Sequence, residues 1–183
     1  VSPNLSPAAR KRLLEVARRA LGARVAGERF VPEEGGDELR RPAGAFVTVR
    51  RREGRQLRAC MGGIDPSQPL IEAVALAAAS AAADRRFDPL TAEELPLLSL
   101  EVSALSPLVE VAPESIVIGI HGLLVVCGER TGLLLPQVAV EHGLEREVFL
   151  QHACRKAGLP PDAWRAPGCE IHAFTATLIS EED

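Results

Sequence analysis

Apolar positions recur along this chain with two periods, and the switches between them divide it into helices and strands. Leu13, Val16, Ala17, Ala20 and Leu21 fall at helical spacing behind Ser6-Pro7, a serine cap and a first-turn proline, which predicts a helix over about 7–22. Glu15 stands four residues before Arg19, the spacing of a helical ion pair, and Gly22 or Gly27 is the expected end. Residues 31–43 read as loop, Ala45 to Val49 as strand, and Arg51 to Arg55 as a hairpin turn. The returning strand, about 55–62, alternates so that Leu57, Ala59 and Met61 face the core while Arg58, Cys60 and Gly62 face the other way. An alanine-rich helix follows from Leu70 to about Ala83, with Ser67 its candidate cap. Asp84 to Leu90 is an irregular connection, and Thr91 to Glu94 has the capping-box pattern of a short helix stopped by Pro96. Leu98, Leu100, Val102 and Ala104 alternate with Ser99, Glu101 and Ser103, as in a half-buried strand whose polar face lines water or a cleft. Ile116 to Cys127 reads as strand, glycine break, strand; further strands are predicted over Leu133–Pro136 and Cys169–Ile179, a helix over Leu144–Ala157, and a solvated tail at Glu181-Glu182-Asp183. Interleaved helices and hairpins give an α+β class with a largely antiparallel sheet, packed as a single domain over 1–183.

Charge refines this picture. Residues 1–60 hold 14 Lys or Arg against 7 Asp or Glu, and residues 61–183 hold 7 against 18. The expectation is that the basic first third pairs with the acidic remainder inside the fold. The chain has no tyrosine and only 3% aromatic residues, which argues against a base-stacking surface for single strands. Nucleic-acid binding is thus the weakest of three functional readings. No apolar run is long enough to span a bilayer and no signal-peptide pattern opens the chain, so the cytoplasm is the expected location. Cys60, Cys127, Cys154 and Cys169 are widely spaced, without zinc-type pairs, and are expected to be reduced. No metal or cofactor is predicted.

The chemistry concentrates at Arg55-Gln56-Leu57-Arg58-Ala59-Cys60-Met61-Gly62-Gly63. A cation beside a thiol favours the thiolate, the form that attacks electrophiles. Gly62 and Gly63 let a ligand or another segment approach closely. His121, between Gly119 and Gly122, is a candidate for proton transfer, equally readable as a histidine satisfied by a local hydrogen bond. Glu101 is a candidate acid or base.

Leu57-Arg58-Ala59-Cys60-Met61-Gly62 resembles the Leu-Arg-Gly-Cys-Ile-Gly signature of the AMMECR-one domain family. The likeness continues through Asp84 to Leu90, Val102 to Pro107, His121-Gly122-Leu123, Gly132 to Ala139 and Cys154 to Leu159. Ala59 and Met61 depart from the signature; alanine would be strained if the family glycine served a positive φ. The resemblance implies a larger part and a smaller lobe around a cleft, with the signature near it. It also implies association with MEMO-type proteins and radical S-adenosylmethionine proteins, and carries no established reaction.

The leading expectation is a cysteine-dependent enzyme acting on a small anionic substrate or modifying a protein. In it Cys60 is the nucleophile, Arg58 holds an anionic group, His121 transfers protons, and Glu101, Gly62 and Gln137 position the substrate. The alternative is a non-catalytic ligand- or protein-binding module.

Overall fold

Ser6 caps α1 (Pro7–Val25): its hydroxyl accepts from the Ala9 amide at 3.2 Å, and Pro7 opens the first turn. The helix runs past Gly22 and stops at Gly27, whose φ of +76° allows the closing bonds from Gly27 to Arg24 and from Glu28 to Ala23. Glu15 pairs with Arg12 rather than with Arg19, which lies 4.9 Å over the Phe30 ring. The computed structural model describes residues 4–33 and 35–182; Glu34 of the predicted loop and Asp183 of the predicted tail lie outside them.

After α2 (Asp37–Arg40) come β1 (Ala45–Arg51), β2 (Leu57–Gly63), α3 (Leu70–Ala81), β3 (Leu98–Leu105) and β4 (Val109–Glu110). Then follow β5 (His121–Cys127), β6 (Arg130–Leu134), α4 (Pro136–Glu141), α5 (Arg146–Lys156) and β7 (Cys169–Ser180). The pairs β1–β2, β1–β3, β4–β7, β5–β6 and β5–β7 are all antiparallel, so the chain has the α+β architecture its sequence predicts. Contacts divide it into two units, Pro3–Leu105 with Thr177–Asp183, and Ser106–Ala176. No helix among the described residues is long and apolar enough to cross a membrane.

In the larger unit β1 lies between β2 and β3, and α1 and α3 pack against the sheet. Val47, Val49, Ala59, Leu100 and Val102 are fully buried with Leu13, Val16 and Leu21 of α1 and Val74 and Ala78 of α3. Alanines let α3 lie close to the strands. Ser67 does not cap it; its hydroxyl binds the Asp65 carboxylate at 2.8 Å, and Pro69 precedes the helix instead. On the opposite face, Ser99 and Ser103 are buried rather than wet. The charge asymmetry resolves as expected. Glu181 takes Arg18 and the Leu100 amide and is mostly enclosed, so it leaves the solvated tail predicted for it, whereas Glu182 stays exposed while it pairs with Arg55.

In the smaller unit the β5–β6 hairpin packs against α5, with β7 alongside β5. Phe149, Leu150 and Ala153 of α5 bury against Leu123, Val125, Leu134 and Ile171. Residues 116–120 form a turn rather than a strand, because Gly119 takes φ +82° and the His121 amide returns to the Val117 carbonyl. Cys127 and Cys169 stand directly opposite on β5 and β7, Cα atoms 4.3 Å apart, and form a disulfide. This overturns the expectation of four reduced thiols; Cys60 and Cys154 are the free ones among the described residues.

Candidate thiol site on the edge strand

Cys60 lies on β2, the edge of the larger unit's sheet, and register places Thr48 between it and Glu101 in one row across three strands. Directly opposite residues share a face. The Thr48 hydroxyl donates to the Cys60 sulfur at 3.5 Å, and Cys60 is half-buried. Cys154 is fully buried on α5, and loss of hydration pushes its thiol above the ordinary range. The two free thiols therefore differ sharply in access.

An edge strand offers outward N–H and C=O groups that need partners. At Cys60 side chains supply both. Its amide donates to the Asp84 carboxylate at 3.0 Å, and its carbonyl accepts from the Arg86 guanidinium at 2.8 Å. Arg86 is in turn locked to Asp84 by bonds of 3.0 and 2.7 Å, and the Arg86 amide also reaches Asp84. Asp84 is buried, and the Arg86 guanidinium holds its carboxyl well below the usual carboxylate range. Arg86 is raised chiefly by that bond to Asp84, and the Cys60 thiol adds a smaller contribution. Arg86 is the cation that meets Cys60.

Arg58 is spent elsewhere. Its guanidinium forms a two-toothed pair with Glu94 at 2.9 and 3.0 Å and donates to the Asp88 and Pro89 carbonyls at 2.8 and 3.3 Å. That pairing holds the Glu94 carboxyl below its usual range, and the Thr91 amide binds the same carboxylate. The predicted capping-box bond thus exists, but Thr91–Glu94 makes turns into a short 3₁₀ segment rather than an α-helix. A bulge explains why Arg58 leaves the Cys60 row. Val49 pairs with Ala59 but Arg50 with Leu57, so Arg58 has no partner and the alternation breaks. Leu57, expected in the core, is 38% exposed for the same reason.

Glu101 is largely enclosed, its carboxylate bound by Arg55 at 2.5 Å and near Arg50 at 3.6 Å. Gly62 is required by close approach, not by φ: a Cβ there would lie 2.2 Å from the Ala45 carbonyl and 2.7 Å from the Phe46 ring. Ala59 sits in paired strand, outside the positive-φ residues, so its replacement of the family glycine brings no strain. His121 and Gln137 belong to the smaller unit. The His121 Nδ1 accepts from the Val117 amide at 3.1 Å, and Gln137 lies in the first turn of α4. No group of three His, Cys, Asp or Glu with metal-holding geometry occurs among the described residues.

The family model named AMMECR1 matches residues 14–179. This chain belongs to the AMMECR1 family. Protein TK0174 of Thermococcus kodakarensis is 44% identical over 93% of this chain and 89% of its own length. Protein MK0488 of Methanopyrus kandleri is 41% identical over 93% of this chain and 87% of its own. The crystal structure of uncharacterized protein PH0010 from Pyrococcus horikoshii matches with a TM-score of 0.87 at 40% identity, covering 93% of this chain and 90% of that one. The solved relative shares the fold, and the names of all three carry no reaction.

Proposed function

We propose that this AMMECR1-family chain is a cysteine-dependent enzyme whose nucleophile is Cys60 and whose thiolate is supported by Arg86 and Thr48. The observation that carries the reading is the clamp at β2, where Asp84 and Arg86 fix the Cys60 backbone and set a guanidinium on the carbonyl of the residue that bears the half-exposed thiol. A fixed, cation-flanked thiol is the local arrangement from which nucleophilic catalysis is built. Arg86 replaces Arg58 as the group that orders an anionic part of the substrate. The reading draws on the larger unit alone, and the expected parts of His121, Glu101 and Gln137 are not needed for it.

The test is alkylation by iodoacetamide at neutral pH, followed by intact mass and peptide mapping. Cys60 is expected to react faster than free cysteine, and Cys60→Ser to abolish that fast phase. A Cys60 rate at or below that of free cysteine would remove the reading. One observation favours a binding module instead: Glu101 and Arg58, two polar groups near the thiol in sequence or register, are both committed to internal pairs. Association with MEMO-type and radical S-adenosylmethionine proteins, implied by the family likeness, belongs to that alternative, and co-purification tests it.

A further inference from the structure

We propose that the arginine-lined depression beside the β2 clamp binds a phosphoryl group, which makes the ligand of the Cys60 site a phosphorylated molecule. This rests on the reading of Cys60 above and names its substrate class. The depression has a volume of about 950 Å³ and is walled by Arg51 from β1, Arg58 from β2, and Arg85, Arg86 and Phe87 from the connection after α3. Elsewhere in this unit, arginines of the same hairpin are neutralised: Arg50 and Arg55 by Glu101, Arg52 by Glu181, and Arg55 again by Glu182. In the depression, guanidinium donors remain unspent. The Arg85 guanidinium is exposed and meets no hydrogen-bond or ion-pair partner among the described residues. Arg51 is ion-paired with Glu94 at 3.4 Å through one nitrogen and keeps its other guanidinium nitrogens open, and Arg86 spends Nε and one terminal nitrogen on Asp84 and the Cys60 carbonyl while its side chain is 58% exposed.

Two carboxylates share the lining, Asp88 and Glu94, and Glu94 is already bound by Arg58. With Asp84 counted against Arg86 from behind the lining, four arginines face three acids and the wall keeps one net positive charge, at the exposed Arg85. Guanidinium forks match the oxygens of a phosphoryl group, whose greater charge suits several separate forks better than one carboxylate does. Arg86 joins this wall to Cys60, because the same guanidinium that faces the depression holds the Cys60 carbonyl. A phosphoryl group bound here would share the Arg86 guanidinium with the Cys60 carbonyl, one residue's width from the thiol-bearing backbone.

The experiment titrates inorganic pyrophosphate into the full chain at low ionic strength by calorimetry, with acetate as the carboxylate control. Saturable pyrophosphate binding is expected, weakening as salt rises. Arg85→Ala and Arg51→Ala, which touch no part of the clamp, should each weaken it by roughly tenfold, the scale of one lost charge-assisted hydrogen bond. Cys60→Ser should bind as the parent does. Absence of saturable binding, equal binding of acetate, or indifference to both arginine changes would each overturn the inference. Fast Cys60 alkylation without pyrophosphate binding removes the phosphoryl assignment alone. Slow alkylation with binding intact removes the thiol reading alone.

Discussion

Arg58→Ala is expected to lower the unfolding free energy of the larger unit by about 3 kcal/mol, the cost of removing one member of an enclosed, hydrogen-bonded ion pair. Arg58 is buried, and four hydrogen bonds tie it to Glu94, Asp88 and Pro89. Its loss leaves the Glu94 carboxylate with only the Thr91 amide and the 3.4 Å pair to Arg51, and frees the connection that carries Asp84 and Arg86. Arg58→Lys should recover little, because a single ammonium cannot reproduce the planar fork. Urea unfolding gives the measurement, and a change below about 1 kcal/mol would reduce the pair to an ordinary surface bridge. The acid limb supplies a second signature. Asp84 and Glu94 are both held below their ordinary values of 3.8 and 4.5. A depressed carboxyl stabilises the fold above its ordinary value, and that contribution is lost as pH falls through the depressed one. Stability should therefore fall as the medium is acidified below about pH 4.5, and less steeply in Arg58→Ala, where Glu94 loses the largest cause of its lowered pKa.

Gly132→Ala is expected to cost the smaller unit about 3 kcal/mol, at the upper end of ordinary overpacking. A Cβ at this position would stand 2.0 Å from the Ala153 carbonyl oxygen and 2.9 Å from the Ala157 amide. Both are backbone atoms at the end of α5, so relief requires moving β6 or the helix rather than a side chain. Gly63→Ala is the matched control, since nothing lies within 4 Å of its Cβ. It should shift stability by no more than about 0.5 kcal/mol. Thermal unfolding compares the two, and equal effects would mean that the hairpin does not rest on α5 as described.

Local signals carried much of this fold. Ser6-Pro7 and the stripe from Leu13 to Leu21 place α1, and the alternation from Leu98 to Ala104 places β3, because capping and period are properties of adjacent residues. Pro136 was expected to end a strand, yet it opens α4, the other role proline favours. What stayed hidden depends on register. The bulge that turns out Leu57 and frees Arg58 from the Cys60 row has no signature of its own in either strand. Cys127 and Cys169 meet only once β5 and β7 are aligned, 42 residues apart in sequence. Arg86 reaches Cys60 through the return after α3. Its one sequence cue was the acid two residues earlier, which makes Asp84 and Arg86 a local pair. That Cys60 faces away from the core was legible from the sequence; the guanidinium on its backbone carbonyl was not.

The account turns on which guanidinium supports Cys60, and iodoacetamide alkylation of Arg86→Gln at neutral pH tests this most directly. Glutamine keeps a donor for the Cys60 carbonyl while removing the charge, and unchanged thermal unfolding would confirm that the clamp survives. The account predicts that Cys60 is modified roughly fivefold more slowly than in the parent, the scale expected from losing one nearby, solvent-screened cation. A rate equal to the parent's, in a folded protein, would contradict it.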